Sequence, residues 1–396
     1  MTKRALLILI GGRQVPNVLA AQALRPDIIF PIASHEAMRK GREWEKVSPI
    51  LRQLCPDGVR APVVVDAYDP RETYVAALRS LLEEGASEWV FNVTCGSKVM
   101  GFGAYDAALP EYLPTPVSIW YLDTATRRVV VLKGRAPDSD LFRLTVADYF
   151  AAYGRQAVGA NPTPAEVVFA RLIARDVRAA ATLARGVRNA KRKDALLSFL
   201  APVKNLPALM KAARTAGYVR NFKLGAEANR PGYGLARDCE VEEAPGKSLL
   251  KFVTGDWLEI YAWWAAGEAG CFDDTRCGLE IPDNAVSNEL DLAATRAATL
   301  MVAECKTDDR DFKEIKENGY IEKLHSIAGL VGGNFVGRLF ITGQRAPKDA
   351  PGLRSYNAFC EQARARQVVV VTGDQLKDLP GILRRESGDQ PTYSHI

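Results

Sequence analysis

The stretch LMVAECKTDD, residues 300–309, passes from an apolar run into a glutamate and a lysine two positions apart. In a strand, alternation places Glu304 and Lys306 on the same face as Leu300 and Val302. Asp291 stands 13 residues before Glu304, in NELDLAAT, across a short turn near Thr295–Ala297. An antiparallel hairpin brings these two acids side by side. Carboxylates that close repel unless a cation neutralises them or one takes a proton. A hard divalent ion, Mg²⁺ or Mn²⁺, suits oxygen donors and leaves positions for water and phosphate. Lys306 is then placed to favour the hydroxide form of an attacking water, or to stabilise charge growing on phosphorus. Glu259, on a helix starting near Asp256, is the fourth member, a second-metal ligand or helper. The expected catalytic set is therefore Glu259, Asp291, Glu304 and Lys306, with the three acids as metal ligands and hydrolysis of a phosphodiester as the reaction. The rival reading is a solvent-facing ion pair worth less than about 1 kcal/mol. The apolar LMVA run speaks against it, because a strand buried on both faces makes an unneeded charge pair costly.

The elements that must position these residues read as follows. A helix over 251–266 carries Trp257, Ile260, Tyr261 and Trp264 on one side. Strands follow at 288–295, 298–306, 337–342 and 367–372, with helices over 310–330 and 354–365. Gly332 and Gly333 read as a helix stop. Upstream, residues 1–135 alternate short β-branched or aromatic runs (4–10, 27–33, 62–67, 88–93, 117–122) with helix-compatible segments at 35–53, 71–84 and 98–109. That order implies a mostly parallel, doubly wound sheet. A last run at 128–133 closes a terminal hairpin through DTATR. Residues 134–140 read as a loop and 153–164 as a linker. Thr163, Pro164 and Glu166 form a helix-start signature opening an alanine-, leucine- and arginine-rich helical region over 164–215. Within 183–223 there are ten Lys/Arg and one acid, Asp194. This is either a solvated helical face or a track for a nucleic-acid backbone. YVRNFKLG (218–225) with PGYGL is a candidate β-wing.

At 396 residues the chain exceeds one ordinary core, and two or three domains are expected. The net charge of +5 is too mild to identify a polyanionic partner. Seven dispersed cysteines without a CxxC pair, and only three histidines, argue against a zinc site. They read instead as reduced thiols in a cytosolic protein. No stretch of 18 apolar residues is present, so no membrane span is expected.

Two loops of the first domain sit at strand C-terminal ends, where open parallel sheets bind ligands. GGRQVPN (11–17) offers glycine backbone N–H groups to a phosphate but is not GxGxxG. NVTCGSKVM (92–100) places Thr94, Gly96, Ser97 and Lys98 at a strand-to-helix junction, where the helix N-terminus favours anions. The lysine adds a point charge and the hydroxyls add donors. An ordinary capped helix is the rival reading. The absence of GxGxxG and of a catalytic histidine arrangement argues against a dehydrogenase.

These motifs resemble known families. Residues 255–345 look like the PD-(D/E)xK nuclease fold, with Glu259, Asp291, Glu304 and Lys306 matching its ordered acids and E-x-K, and Leu290 standing where the family name has proline. The passage 324–343 is similar to the helix–glycine–strand segment after the catalytic strands in one branch of that family. The N-terminal loops resemble the CARF domain, the Rossmann-like sensor of type III CRISPR effectors. Residues 92–98 stand where such domains commonly carry N-x-T-G-G-T-K, with Cys95 replacing a glycine and Ser97 a threonine. The combined order resembles the Card/Can type of CRISPR ancillary nuclease. The resemblance implies an α/β protein with a CARF sensor at 1–150, a mainly helical basic connector at 151–244 and a nuclease domain at 245–396. It implies a homodimer that binds cyclic oligoadenylate, most often cyclic tetra-adenylate, across its axis and cuts DNA, RNA or both. The implied ligand-binding residues are Gly11, Gly12, Arg13, Gln14, Asn17, Thr94, Cys95, Gly96, Ser97 and Lys98, with Gln14 or Asn17 contacting adenine. The first alternative is a CARF-type regulator that grips DNA without cutting it, and the second an unswitched restriction- or repair-type nuclease.

Overall fold

A computed structural model describes residues 3–175, 206–223 and 240–388, apart from positions 40, 84, 112, 114, 125, 139–142, 284–285, 297, 308–311 and 333–335. Most of the basic tract over 183–223, the PGYGL segment and Gly333 lie outside the described residues.

The N-terminal sheet has the order β3-β2-β1-β4-β5-β6. Its strands are β1 (Arg4–Ile10), β2 (Ile28–Ser34), β3 (Val63–Val65), β4 (Glu88–Asn92), β5 (Val117–Asp123) and β6 (Arg128–Lys133). The first five are parallel and β6 returns antiparallel, as the alternation of strand and helix periods requires. Helices α1 (Val15–Leu24), α2 (Glu43–Leu54), α3 (Pro70–Glu83) and α4 (Lys98–Ala108) make the crossovers. The loop expected over 11–17 is shorter than its sequence suggests, because Pro16 lies in the first turn of α1, where its missing N–H leaves no bond unmade.

The C-terminal sheet has the order β13-β12-β11-β10-β9. It contains β9 (Asp274–Asp283), β10 (Val286–Arg296), β11 (Thr299–Lys306), β12 (Val336–Thr342) and β13 (Val368–Val371). Strand β9 was not legible, since its TRCGLEIPD interrupts any alternation with charge, Gly and Pro. On one face of β11, Leu300 and Val302 join the core that includes Phe340. On the other, Met301, Ala303 and Cys305 join the core under α8 (Trp257–Ala269). Helices α9 (Phe312–Glu317), α10 (Tyr320–Leu330), α11 (Ala350–Ala365) and α12 (Leu379–Gly388) complete the domain.

The described parts of the connector pack against the C-terminal region. Helix α5 (Val146–Ala151) occupies part of the stretch between the expected loop and linker, and its Val146 N–H donates to Asp274 Oδ2 on β9 at 2.9 Å. Val158 then pairs with Glu280, adding a bridge to the C-terminal sheet. Helix α6 (Pro164–Ala174) begins with the expected Thr163–Glu166 capping box. Helix α6 packs on α8 and against α7 (Leu206–Thr215), and its Phe169 stacks at 4.3 Å on Phe252, in the turn just before α8. A two-stranded sheet of β7 (Val219–Lys223) and β8 (Glu240–Glu243) corresponds to the described part of the expected wing. The six described cysteines are free thiols, and no described helix is long and apolar enough to cross a membrane.

Candidate functional site

Leu292 on β10 pairs with Ala303 on β11, so the next step along the antiparallel ladder carries Asp291 toward Glu304. Leu290 faces one core and Leu292 the other, which breaks the strict alternation of β10 at Asp291. The neighbouring β9 carries Gly278 there, with φ 56°, a conformation that glycine adopts at little cost. The Asp291 carboxylate accepts a hydrogen bond from the Cys305 N–H at 2.5 Å and is only 3% exposed. That bond anchors the acid to β11 between Glu304 and Lys306.

Around this anchor the structure forms two linked groups. In the first, oxygens of Glu259, Glu289 and Asp291 all lie within 4.8 Å of one another. In the second, Glu304 is gripped at both oxygens, by Lys306 Nζ at 2.7 Å and Lys323 Nζ at 2.8 Å. Lys306 joins the groups, because its Nζ also lies 3.5 Å from Asp291 Oδ2. Glu259 is brought in by a π-helical turn, Phe252–Asp256, directly before α8, which corrects the single helix expected from 251. Thr307 fixes that turn to the end of β11 by donating its hydroxyl to the Thr254 carbonyl. Local π-turns of this kind recur where a helix must aim a functional side chain.

The electrostatics follow from burial without enough positive charge. Burial first, and then the Asp291 and Asp256 charges, push Glu259 up to about 8. Asp291 is raised to about 6, again by burial and then by Glu304, with Lys306 opposing. Burial pulls the Lys306 ammonium down, but Asp291 and Glu304 outweigh it and hold the group above the ordinary lysine value. It is a firm cation. Glu259 and Asp291, with Glu289 converging beside them, form a hard-oxygen donor set for a divalent cation.

Sequence reasoning missed two members. Glu289 stands two residues before Asp291, so a search for E-x-D on the acidic strand finds it; Lys323, on α10, carries no local signal. Glu304, expected among the metal ligands, lies outside the three-acid group and is paired with two lysines instead.

The two N-terminal loops meet at their glycines. A Cβ on Gly11 would fall 2.5 Å from the Gly96 backbone nitrogen, and Gly96 itself has φ 81°. Ser97 caps α4, accepting from the Met100 N–H at 3.0 Å and donating to the Ala67 carbonyl. Lys98 stands exposed at the first turn of that helix, and Gly12 is exposed beside the partly buried Arg13. The inner residues have other work. Asn17 is fully buried, donating to the Leu9 carbonyl at 2.9 Å and to Gln14 Oε1 at 3.0 Å, while accepting from Asn92 at 2.9 Å. Thr94 donates to Asn92 Oδ1 at 2.6 Å and accepts from the Leu122 N–H at 2.7 Å. Cys95 is buried and pushed up to about 12 by that burial. Gln14 and Asn17 are the residues expected to contact adenine. In this conformation both side chains face inward, because buried amides must find partners and these find them between the loops.

Residues 246–387 match the family model of the Card1-like endonuclease domain. Among solved structures, the chain is similar to protein VC1899 from Vibrio cholerae, at TM-score 0.70 and 18% identity over 98% of this chain and 99% of that one. It is similar to Can2 from Sulfobacillus thermosulfidooxidans, solved in complex with cyclic tetra-adenylate, at TM-score 0.66 and 18% identity over 97% of each chain. It also resembles a type III CRISPR defence DNA nuclease activated by cyclic oligoadenylate, at TM-score 0.52 and 17% identity, over 89% of this chain and 48% of that one. These likenesses extend the shared fold across both ends of the chain. No curated protein matches the sequence.

Proposed function

From the premise that residues 246–387 form a Card1-like endonuclease domain, we propose that the protein is a metal-dependent endonuclease of type III CRISPR defence, switched on by cyclic oligoadenylate. The observation that carries the reading is the convergence of Glu259, Glu289 and Asp291 beside Lys306 at the end of β11. Mg²⁺ or Mn²⁺ on those carboxylates would supply Lewis acidity and a more acidic bound water. The chain's own residues do the rest. Asp291, tied to the Cys305 N–H, fixes the acids against the strand. Lys306 presents a charge that stays positive at neutral pH, placed to orient the attacking water or to stabilise the oxygens of the reacting phosphate. Glu304 holds that ammonium at 2.7 Å.

The sensor reading rests on the loop pair. Gly11 to Arg13, Ser97 and Lys98 present backbone N–H groups, a helix N-terminus and one exposed ammonium, a combination suited to ligand phosphates. Cyclic tetra-adenylate is the proposed activator, the ligand held by the Can2 structure. A cyclic ligand with two-fold character calls for two copies of the site. Helices α3 and α4 leave Val75, Leu82 and Phe102 exposed, at 60%, 65% and 67%, and such an apolar surface supports a homodimer.

The test is a cleavage assay on plasmid, single-stranded DNA and RNA, with and without cyclic tetra-adenylate, in Mg²⁺, Mn²⁺ and EDTA. Cleavage that needs both metal and activator is expected. DNA binding in EDTA with no nicking under any condition would point to a ligand-responsive regulator instead. Cutting that ignores the activator would leave an unswitched nuclease.

A further inference from the structure

Helix α10 runs from the acid site to the core that underlies the first N-terminal loop. Near its first turn, Tyr320 lies under Lys306, with Nζ 5.2 Å from the ring centroid, and stacks against Phe340 at 6.0 Å. One turn on, Lys323 Nζ holds Glu304 Oε2 at 2.8 Å. Just past its far end, Gly332 has φ 138°, and a Cβ there would fall 2.7 Å from the Tyr149 hydroxyl and 3.3 Å from that of Tyr153. Tyr149 belongs to α5, and the two tyrosine rings pack at 5.6 Å. Tyr149 shares one buried core with Ile10 and Val15, which flank the first sensor loop, and with Ile327 and Ala328 of α10. Gln22 of α1 also donates to Asp148 Oδ2 of α5 at 3.1 Å. Ile10 and Val15 beside the first loop, the tyrosine pair, Gly332, α10, Lys323 and Glu304 thus form one contiguous packed path.

We infer that α10 is the element coupling the sensor loops to the acid site, and that Lys323 is the positioning residue through which it acts on Glu304. The inference rests on the nuclease reading and deepens it by naming the regulatory connection. A helix is stiff along its axis, so displacement of the tyrosine pair at one end moves Lys323 at the other. Glu304 has an ammonium on each oxygen, and a shift of Lys323 changes how that carboxylate stands beside Lys306 and Asp291. Both ends are packed, and packed contacts switch between discrete arrangements more readily than they stretch.

Linkage gives a test that does not depend on turnover. If sensor and acid site are coupled, cyclic tetra-adenylate changes the Mn²⁺ affinity, typically by about five-fold or more. Calorimetry on the full chain should find that difference in the unmodified protein. In Lys323→Met the ratio of Mn²⁺ dissociation constants, with and without cyclic tetra-adenylate, should collapse toward unity while each ligand still binds. Lys323→Arg should restore most of the ratio. Tyr149→Phe, which removes one hydroxyl from the helix end, should also lower it. A Lys323→Met protein that keeps the full ratio overturns the inference, as does an unmodified protein with a ratio of one. Failure of the unmodified protein to bind Mn²⁺ and cyclic tetra-adenylate at all would instead sink the underlying nuclease reading.

Discussion

The N-terminal loops and the acid site solve opposite problems. In the loops, inward-facing polar side chains are satisfied: the buried Asn17 and Asn92 and the half-buried Thr94 hydrogen-bond one another and the backbone, leaving peptide groups, a helix N-terminus and Lys98 to face outward. In the acid site, charge is unbalanced, with the buried Asp291, the half-buried Glu259 and the exposed Glu289 sharing a space that Lys306 only partly neutralises. A site made of backbone depends on shape, so glycines and buried amides decide it. A site made of charges depends on which ions are present. Deletions should therefore act on chemistry in one region and on structure or ligand response in the other.

The sharpest contrast comes from the acid site. Lys306→Ala or Glu304→Ala should lower the cleavage rate by about 1,000-fold, the scale for losing a preorganised charge. Activator binding, measured by calorimetry, should survive. Retention of wild-type cleavage in Lys306→Ala would falsify the site assignment. In the loops, Gly11→Ala should act on stability, since its Cβ meets the Gly96 backbone at 2.5 Å. A loss of about 1–3 kcal/mol in denaturant unfolding is expected from such overpacking. An unchanged midpoint would mean that the loops do not meet as described.

Lys98→Ala should raise the activator concentration for half-maximal cleavage by about ten-fold, the scale of one charged hydrogen bond. The maximal rate should not change, and an identical activator titration would remove Lys98 from the ligand site. The smallest effect is one of pH. Glu259 is raised from 4.5 to about 8, so between those values the folded metal-free protein holds a proton that the unfolded chain has lost. Stability then falls as pH rises through that interval. Thermal melting in EDTA should decline across this range, and Mn²⁺ at the alkaline end should restore it. A melting temperature that rises toward pH 8 in EDTA would contradict the crowding of the acids.

Much of the fold was legible because periodicity is a local property. The runs at 4–10, 88–93 and 117–122 alternate with helical segments and became parallel strands. Glu304 and Lys306 followed Leu300 and Val302 onto one face, as a two-residue period dictates. Strand β9 was hidden because Gly278 and Pro282 break its pattern, and Gly278 is where the ladder bends to accommodate Asp291. The first residues of α1, Val15 to Asn17, were read as loop because the glycines before them and Pro16 resemble a turn, although Pro16 serves as a helix start.

The order of residues by itself determined which side chains were available: an acid–x–lysine strand end, an acid thirteen positions before it, a helix acid, and two glycine-bearing loops at strand ends. It determined strand faces and helix starts too, because these depend on neighbours within a few positions. Only the tertiary structure decided that Asn17 turns inward, that Lys323 rather than a third acid lies against Glu304, and that Glu289 joins Glu259 and Asp291. Those outcomes depend on contacts between segments far apart in the chain, where desolvation and charge balance are set by whatever the fold places next to each group.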